Sequence, residues 1–256
     1  MTRLASPPFV ILAGLFVLAA ALAGSLDPPG PPAPTMKPLD QVEPRIPITS
    51  LPFTISTPGS YYLTRSLSGA GNIAGITVNA APATIDLMGY TLDGGQPANS
   101  SYGIIVQVQG RVVIKNGVIS NWVRGVQQIV AGGGIECVLQ DLKIANNSAG
   151  GAYANGDLLA VRTVFYFNGG DGLTAQGVAI VRDSRSGGNS GFGLNLQFVH
   201  SLVEDSTIDA NSGGGIYVSP GSVVRHCVID SNTGYGISIA DRAFIAENSI
   251  SQNTGD

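Results

Sequence analysis

An asparagine that recurs at a nearly constant interval constrains this chain more than any other feature. The residues are Asn121, Asn147, Asn168, Asn189, Asn211, Asn232 and Asn253, and the intervals between them are 26, 21, 21, 22, 21 and 21 residues. In most units the asparagine leads through a Gly-rich segment into an apolar one, most clearly in 204–217 and 225–238. A fixed period of this length indicates stacked units that bury a common core.

Three apolar columns accompany the asparagine column. Five residues after the asparagines stand Val126, Ala152, Leu173, Leu194, Ile216 and Ile237. Eight residues before them stand Val113, Leu139, Ala160, Val181, Val203, Val224 and Ile245, and three residues before them stand Val118, Ile144, Phe165, Ser186, Ile208, Ile229 and Ile250. Alternation of apolar and polar residues around these columns indicates three short strands per unit, each with one buried side.

The repeat predicts an all-β protein, a single-stranded right-handed parallel β-helix with coils of about 21 residues. Helices are disfavoured because the units are short and rich in Gly, Asn and β-branched residues. The units also lack the dense leucine framework of leucine-rich repeats. In such a solenoid each coil pairs with the next at about 4.8 Å. We expect the asparagine side chains to form a hydrogen-bonded ladder and the glycines to occupy corners that need positive φ.

The N-terminal segment predicts export. Residues 1–23 combine Arg3 with an apolar run and the small-residue pattern Ala21-Leu22-Ala23, which is typical of a signal peptide. Residues 24–49 follow as a Pro-rich linker, with eight prolines between Pro28 and Pro47. We therefore expect a bacterial protein that is secreted or held in the cell envelope, with no membrane association after the signal peptide is removed.

The remaining residues, 50–256, are assigned to the β-helix. Residues 50–74 do not match the repeat and are predicted to form an N-terminal cap, and residues 75–256 the coils. Two stretches interrupt the period and are predicted to be inserted loops, 96–102 and 127–134. Because Asp256 falls inside a corner, we expect that further coils follow in a longer protein.

Composition excludes several kinds of partner and site. The net charge is −4 and the basic residues are not clustered, which argues against nucleic acid or an anionic membrane as a partner. Cys137 and Cys227 fall on coils four apart, at a separation of about 19 Å, which is too far for a disulfide. With two histidines and two unpaired cysteines the sequence predicts no zinc site.

Three segments near the start of the predicted β-helix carry a family resemblance: Pro58-Gly59-Ser60-Tyr61-Tyr62-Leu63-Thr64, Gly75-Ile76-Thr77-Val78, and residues 84–92 with the sequence Thr-Ile-Asp-Leu-Met-Gly-Tyr-Thr-Leu. Together with the coils, they resemble bacterial right-handed β-helix repeat proteins of the pectin-lyase-like superfamily. The resemblance covers about residues 50–256 and implies the fold. The superfamily includes pectate lyases, polygalacturonases, alginate lyases and mannuronan epimerases, and it also includes proteins with no known activity, so the fold alone does not assign a reaction.

The motifs of two of these enzyme classes are missing. The chain lacks the Asn-Thr-Asp, Asp-Asp and Gly-His-Gly segments of polygalacturonase-like enzymes and the Asp-Pro-His signature of the epimerases. His200 stands in Val-His-Ser and His226 in Arg-His-Cys. A pectate-lyase-like site requires carboxylates that hold Ca²⁺ beside a basic Arg or Lys, and this looser requirement is compatible with the sequence.

Charged residues at equivalent positions of successive coils are the candidate catalytic residues. They are Arg182, Asp183, Glu204, Asp205, Arg225 and His226, with Glu247 at the next equivalent position. If the coils stack in register, these groups lie roughly 5 Å apart. Carboxylates there could hold Ca²⁺ against an acidic sugar, and an arginine could abstract a proton. The alternative is a charge-alternating ladder in which stacked side chains neutralise one another.

Two further sets complete the candidates. Asp209 and Asp230 occupy equivalent positions and are weak candidates for sharing a cation, while Tyr153, Tyr217 and Tyr235 are candidates for stacking on sugar rings. Both sets are equally compatible with ordinary strand and corner positions. The sequence thus predicts a secreted or surface β-helix module that binds carbohydrate or is structural, with a polysaccharide or envelope component as partner and no cofactor. The alternative is a divergent lyase or epimerase of acidic polysaccharide, for which Ca²⁺ would be the cofactor.

Overall fold

The computed structural model of the protein describes residues 44–69, 73–95, 102–130, 134 and 136–255. The predicted signal peptide (1–23), most of the predicted linker (24–49) and parts of both predicted loops lie outside the described residues. In the described part the regular secondary structure consists of 26 short β-strands and no helix. The first thirteen are β1 (Ile46–Ile48), β2 (Phe53–Ile55), β3 (Gly59–Leu63), β4 (Leu67–Ser68), β5 (Ile76–Val78), β6 (Ala83–Asp86), β7 (Thr91–Asp93), β8 (Tyr102–Val106), β9 (Val112–Ser120), β10 (Arg124–Gln128), β11 (Cys137–Ala145), β12 (Gly150–Ala154) and β13 (Leu158–Val161). The others are β14 (Val164–Tyr166), β15 (Leu173–Ala175), β16 (Ala179–Arg182), β17 (Arg185–Gly187), β18 (Phe192–Leu196), β19 (Leu202–Glu204), β20 (Thr207–Asp209), β21 (Gly214–Val218), β22 (Val223–Arg225), β23 (Val228–Asp230), β24 (Ile237–Ile239), β25 (Phe244–Ala246) and β26 (Ser249–Ser251).

The strands stack into three faces of a solenoid, and every pairing is parallel. The first face contains β1, β3, β6, the N-terminal halves of β9 and β11, β13, β16, β19, β22 and β25. The second contains β4, β7, the C-terminal halves of β9 and β11, β14, β17, β20, β23 and β26. The third contains β2, β5, β8, β10, β12, β15, β18, β21 and β24. The predicted parallel β-solenoid is confirmed.

Three corners join the faces. We call the turn from the first face to the second the first corner, the turn from the second to the third the second corner, and the return to the first face the third corner. Each corner recurs in every complete coil, so a residue type at one corner is stacked on its equivalents along the solenoid.

The core lies inside the three faces and is built from the predicted apolar columns. Leu194 pairs with Leu173 and Ile216, and all three are buried. Val181 pairs with Ala160 and Val203, and Ile208 with Ile229, again with buried side chains. The first residues of two of the predicted columns, Val113 and Val118, were wrong. Leu139 pairs with Ile114 rather than Val113, and Ile144 pairs with Ile119 rather than Val118. Ile114 and Ile119 are fully buried.

The asparagine ladder is confirmed at the second corner. Asn147, Asn168, Asn189, Asn211 and Asn232 are buried, and each donates from both its backbone N–H and its Nδ2 to Oδ1 of the next asparagine, ending on Asn253. From Asn168 onward Nδ2 also donates to a strand carbonyl of the preceding coil. The side chains thereby satisfy the polar groups of a corner that excludes water.

Asn121 is not a member of this ladder. Ala145 pairs with Ser120, so the residue in register with Asn147 is Trp122, whose backbone N–H donates to Asn147 Oδ1 over 3.1 Å. Asn121 lies one position earlier and has φ 62°, and its Nδ2 donates to Asp93 Oδ1. Asparagine is selected there because it tolerates the left-handed backbone conformation.

The prediction that the corner glycines supply positive φ holds at Gly188, with φ 64°. At the second corner of other coils the equivalent left-handed residue is not glycine, as at Ala210 and Ser231. Gly170 is required for a different reason, since a Cβ there would lie 1.9 Å from the carbonyl oxygen of Ala149 in the neighbouring coil. Close approach between coils therefore explains this glycine.

The N-terminal boundaries need correction. Strand β1 lies within the predicted linker and pairs with β3, so the solenoid begins before residue 50. The predicted cap, 50–74, contains β2, β3 and β4, which pair in parallel with β5, β6 and β7 as the later coils do. It therefore forms part of the stack. Tyr102 and Gln127, placed in the inserted loops, belong to strands β8 and β10.

Both cysteines are free and buried. Cys227 occupies the first-corner column that holds Ser184 and Ser206 in the preceding coils, and its backbone N–H donates to Asn248 Oδ1 over 2.9 Å. Ser206 Oγ accepts the corresponding bond from the Ser184 N–H. A second polar column thus supports the first corner.

Candidate functional site

The predicted charged residues do come together, at the first corner. Arg182 pairs with Glu204 and Glu204 with Arg225 on adjacent strands. Glu204 lies between the two guanidinium groups: its Oε1 is 2.5 Å from Arg182 Nε, and its Oε2 accepts bonds from Arg225 Nε and Nη2 over 2.9 and 2.6 Å. Glu204 is buried by these neighbours.

The residues that follow form a second charged column with left-handed backbone. Asp183, Asp205, His226 and Glu247 have φ between 49° and 55°. His226 Nε2 is hydrogen-bonded to Glu247 Oε2, and His226 Nδ1 lies 3.7 Å from Asp205 Oδ1. We call these residues together with Arg182, Glu204 and Arg225 the charge ladder.

Hydrogen bonds within the charge ladder shift the pKa values of Glu204 and Arg225 towards their charged forms. The hydrogen bonds from Arg225, followed by the charges of Arg182 and Arg225, hold the pKa of Glu204 below its ordinary value. The same hydrogen bond, together with the charge of Glu204, raises the pKa of Arg225. At neutral pH the raised pKa leaves less Arg225 in the neutral form that could accept a proton, and the lowered pKa leaves less Glu204 in the protonated form that could donate one. A catalytic role for these six candidates remains a prediction.

The lowered pKa of Glu204 predicts a pH dependence of stability. A carboxyl whose pKa is lower in the folded state than in the unfolded state stabilises the protein at pH values above the unfolded-state pKa of 4.5. This stabilisation is lost as the pH falls through the lower, folded-state pKa. Glu204→Gln should therefore lower Tm at pH 7 by about 2–4 °C and should have progressively less effect below pH 4.5. Thermal unfolding followed by circular dichroism measures both. Asp241→Asn, at an exposed site, is the control, and an equal loss in the two variants would contradict the prediction.

The aspartate pair predicted as a weak cation site is engaged with protein groups instead. Asp209 and Asp230 are in register on the second face. Arg185 Nε and Nη2 donate to the two oxygens of Asp209 over 2.9 and 2.6 Å. The hydroxyls of Ser251 and Ser231 donate to Asp230 and lower its pKa. Within the described ranges no group of three or more His, Cys, Asp or Glu side chains is arranged to hold a metal ion.

The candidate tyrosines lie on the third face, away from the charge ladder. Gln127 pairs with Tyr153, Tyr153 with Thr174, Thr174 with Asn195, and Asn195 with Tyr217, so all five share one register column. Gln127 is buried and the other four are partly exposed. Tyr153 and Tyr217 are three coil steps apart. Tyr235 is more exposed and precedes β24 in the following coil, at the start of the third face.

Two open depressions lie along this column. The first, of about 320 Å³, is lined by Tyr102, Arg124, Gln127, Ile129, Tyr153 and Asn155. The second, of about 380 Å³, is lined by Phe192, Asn195, Gln197 and Tyr217. We call the residues lining both depressions the aromatic–amide face.

Local contacts fix the aromatic rings of both depressions. In the first, the Arg124 guanidinium lies over the Tyr153 ring at 5.0 Å, and Arg124 Nη1 donates to Gln127 Oε1. In the second, Phe192 and Tyr217 meet edge to face with centroids 6.2 Å apart. Gly214 leaves room for this arrangement, since a Cβ there would lie 2.7 Å from the Phe192 ring. The rings are therefore oriented before any ligand binds.

Asp171 organises the surface between the depressions. Its Oδ1 accepts the backbone N–H of Phe192 over 2.8 Å, and its Oδ2 accepts Thr174 Oγ1 and Asn195 Nδ2 over 2.9 and 2.8 Å. These bonds orient the Asn195 amide on the surface of the second depression.

Sequence reasoning found the tyrosines but missed Arg124, Phe192 and the amides beside them. Gln127 and Asn195 share the register column of Tyr153, so the repeat alone could have identified them. Arg124 and Phe192 are three residues earlier in their coils, in the column that also holds Tyr102, Gly150, Asp171, Gly214 and Tyr235. The residues of this column are too varied for the repeat alone to identify those two.

Comparison with known proteins places the fold. A family model described as a right-handed β-helix region matches residues 97–255, and the chain belongs to this family. A similar solved structure is that of full-length tailspike protein 2 from Escherichia coli O157:H7 bacteriophage CAB120, with 11% identity and a TM-score of 0.47 over 78% of this chain and 37% of the tailspike. The chain thus spans little more than a third of that protein. No curated protein matches the sequence. A search of the described residues for a helix long and apolar enough to cross a membrane finds none.

Proposed function

We propose that this β-helix is a carbohydrate-binding module that holds a polysaccharide along its third face, outside the cell or at the cell envelope. The observation that carries the proposal is the pair of depressions on one register column, each combining an oriented aromatic ring with side-chain amides. Aromatic rings offer apolar surface to the C–H groups of a sugar, and amides supply both donors and acceptors for its hydroxyls.

The spacing of the depressions favours a polymer over a single sugar. Tyr153 and Tyr217 are separated by three coil steps, or about 14 Å along the solenoid axis. An extended chain lying parallel to that axis would contact both rings and pass over Asn195 between them. A polymer held at both rings binds with a higher overall affinity than a sugar held at one of them.

The charge at the first depression favours a polymer with acidic groups. Arg124 lies at the surface over Tyr153, and its guanidinium can pair with a carboxylate in two parallel hydrogen bonds. Residue Asp171, the carboxylate nearest the second depression, is already engaged by three protein donors.

Removal of either tyrosine should weaken binding. We expect Tyr153→Ala and Tyr217→Ala each to reduce affinity for the recognised polymer about 10-fold, because each removes a ring that the sugar covers. Affinity electrophoresis through gels containing pectate, alginate or dextran measures the retardation. Tyr90→Ala, which removes a partly exposed ring at the first corner, is the matched control.

Two results would overturn the proposal: equal mobility with and without each polymer, or retardation that both third-face variants retain in full. Release of unsaturated uronate from pectate or alginate in the same samples would instead support the lyase alternative.

Export through residues 1–23 is part of the proposal, and it rests on the sequence pattern. N-terminal sequencing of protein recovered from outside producing cells should show a start close to residue 24, and an intact Met1 would contradict it.

A further inference from the structure

Two side chains at the third corner contain buried polar atoms that have no hydrogen-bond partner among the described residues. Gln128, the last residue of β10, is 1% exposed, and both its Oε1 and its Nε2 are such atoms. Glu136, directly before β11, is 8% exposed, and its Oε2 is the third. Buried polar groups are almost always hydrogen-bonded, and each exception requires an explanation.

The unpaired atoms converge on one place. An ideal Cβ built on Gly156 would lie 3.1 Å from Gln128 Nε2, 3.3 Å from Glu136 Oε2 and 3.3 Å from the carbonyl oxygen of Val130. Three polar atoms from three segments of the chain therefore converge beside residue 156, where any side chain would crowd them.

The chemistry of these groups resembles that of a cation site. The amide nitrogen and oxygen of a glutamine are assigned from their hydrogen bonds, and Gln128 makes none, so a half-turn of the amide directs Oε1 into the space. The site then presents one carboxylate oxygen and two carbonyl-type oxygens. A carboxylate buried without a donor is costly, and a bound cation removes that cost.

The neighbouring thiol does not complete a site for a soft metal. Cys137 is adjacent to Glu136 in the chain, but its side chain belongs to the apolar core. The polar atoms that meet beside Gly156 are those of Gln128, Glu136 and the Val130 carbonyl, and with the amide turned they form an all-oxygen set. All-oxygen sets of irregular geometry suit Ca²⁺, whereas Mg²⁺ requires near-octahedral ligands and retains its water.

We propose that Gln128, Glu136 and the Val130 carbonyl bind a Ca²⁺ ion at the third corner, with water completing its coordination. The site lies directly behind the first depression, because Gln127 and Asn155, which line that depression, are chain neighbours of Gln128 and Gly156. The ion would hold three chain segments together beneath the surface that we propose for glycan binding.

Calcium titration of the full chain tests the site without any glycan. After chelator treatment, isothermal titration calorimetry with CaCl₂ should show one ion bound per chain. Tm, followed by circular dichroism, should rise by about 5 °C at a Ca²⁺ concentration 100 times Kd. Glu136→Gln should lose both effects. Asp241→Asn, which removes a charge from an exposed site at the same corner, should retain them.

A second variant keeps the test decisive if Glu136→Gln fails to fold. Gly156→Ala retains every ligand but places a methyl group in the space, so its affinity for Ca²⁺ should fall at least 10-fold. The proposal is overturned if millimolar Ca²⁺ does not bind, or if both variants bind it as the parent does. It is also overturned if NaCl, KCl or MgCl₂ at equal ionic strength raises Tm as much. Because no polysaccharide is present, these outcomes are independent of glycan binding.

Discussion

Replacing Asn211 by alanine is expected to lower the free energy of unfolding by about 4 kcal/mol. The Asn211 side chain is fully buried and makes four hydrogen bonds. Its Nδ2 donates to Asn232 Oδ1 over 2.9 Å and to the Ser186 carbonyl over 3.0 Å, and its Oδ1 accepts from the backbone N–H and the Nδ2 of Asn189 over 3.1 and 2.9 Å. Alanine would remove these four hydrogen bonds, at about 1 kcal/mol each.

Urea unfolding followed by circular dichroism measures this loss. Asn79→Ala is the matched control, because Asn79 is exposed and outside the ladder, and it should change the free energy of unfolding by less than about 0.5 kcal/mol. Asn211→Asp distinguishes bonding from size, since it keeps the acceptor, removes the Nδ2 donor and adds a charge at a buried site. We expect it to be at least as destabilising as alanine. If all three variants unfold at the same urea concentration, the ladder contributes nothing to stability.

The repeat made the fold predictable because every coil of a solenoid has equivalent strands and corners at nearly the same spacing. Phe165, Ile208 and Ile229 stand three residues before their asparagines, and that spacing alone predicted their alignment on the second face. The error at Asn121 has the same origin. The coil before Asn147 carries extra residues, so the nearest asparagine in the sequence is not the residue in register. Residue identity was the wrong guide there, because Trp122 occupies the ladder position.

The candidate sites were predictable only as far as register determines them. Equivalent spacing placed Arg182, Glu204 and Arg225 on one corner correctly. It could not show that Glu204 bonds both arginines, because that depends on side-chain rotamers and on the burial they produce. Nor could it reveal the convergence of Gln128 and Glu136, which lie on either side of an insertion that the repeat does not describe.

The loss of Trp122 should be comparable to that of Asn211, for a different reason. Trp122 is the single tryptophan of the chain and is 1% exposed, and its Nε1–H donates to the Leu92 carbonyl over 3.0 Å. Trp122→Ala removes a large buried ring and leaves a cavity, so the free energy of unfolding should fall by about 4 kcal/mol. Urea unfolding followed by circular dichroism measures the change, because the variant lacks the fluorescent residue.

The glycines around Trp122 provide an independent test of the same packing. A Cβ at Gly69 would lie 2.4 Å from Trp122 Cη2, one at Gly75 would lie 2.9 Å from the same atom, and one at Gly94 or Gly103 would also approach the indole. Gly75→Ala should therefore destabilise the protein by about 1–3 kcal/mol through overpacking. In the double variant Trp122→Ala, Gly75→Ala, the added methyl group has space. The double variant should therefore lose less free energy of unfolding than the sum of the losses in the two single variants. Strict additivity would show that the glycine serves the backbone rather than the ring, since Gly75 also lies against the Gly103 carbonyl.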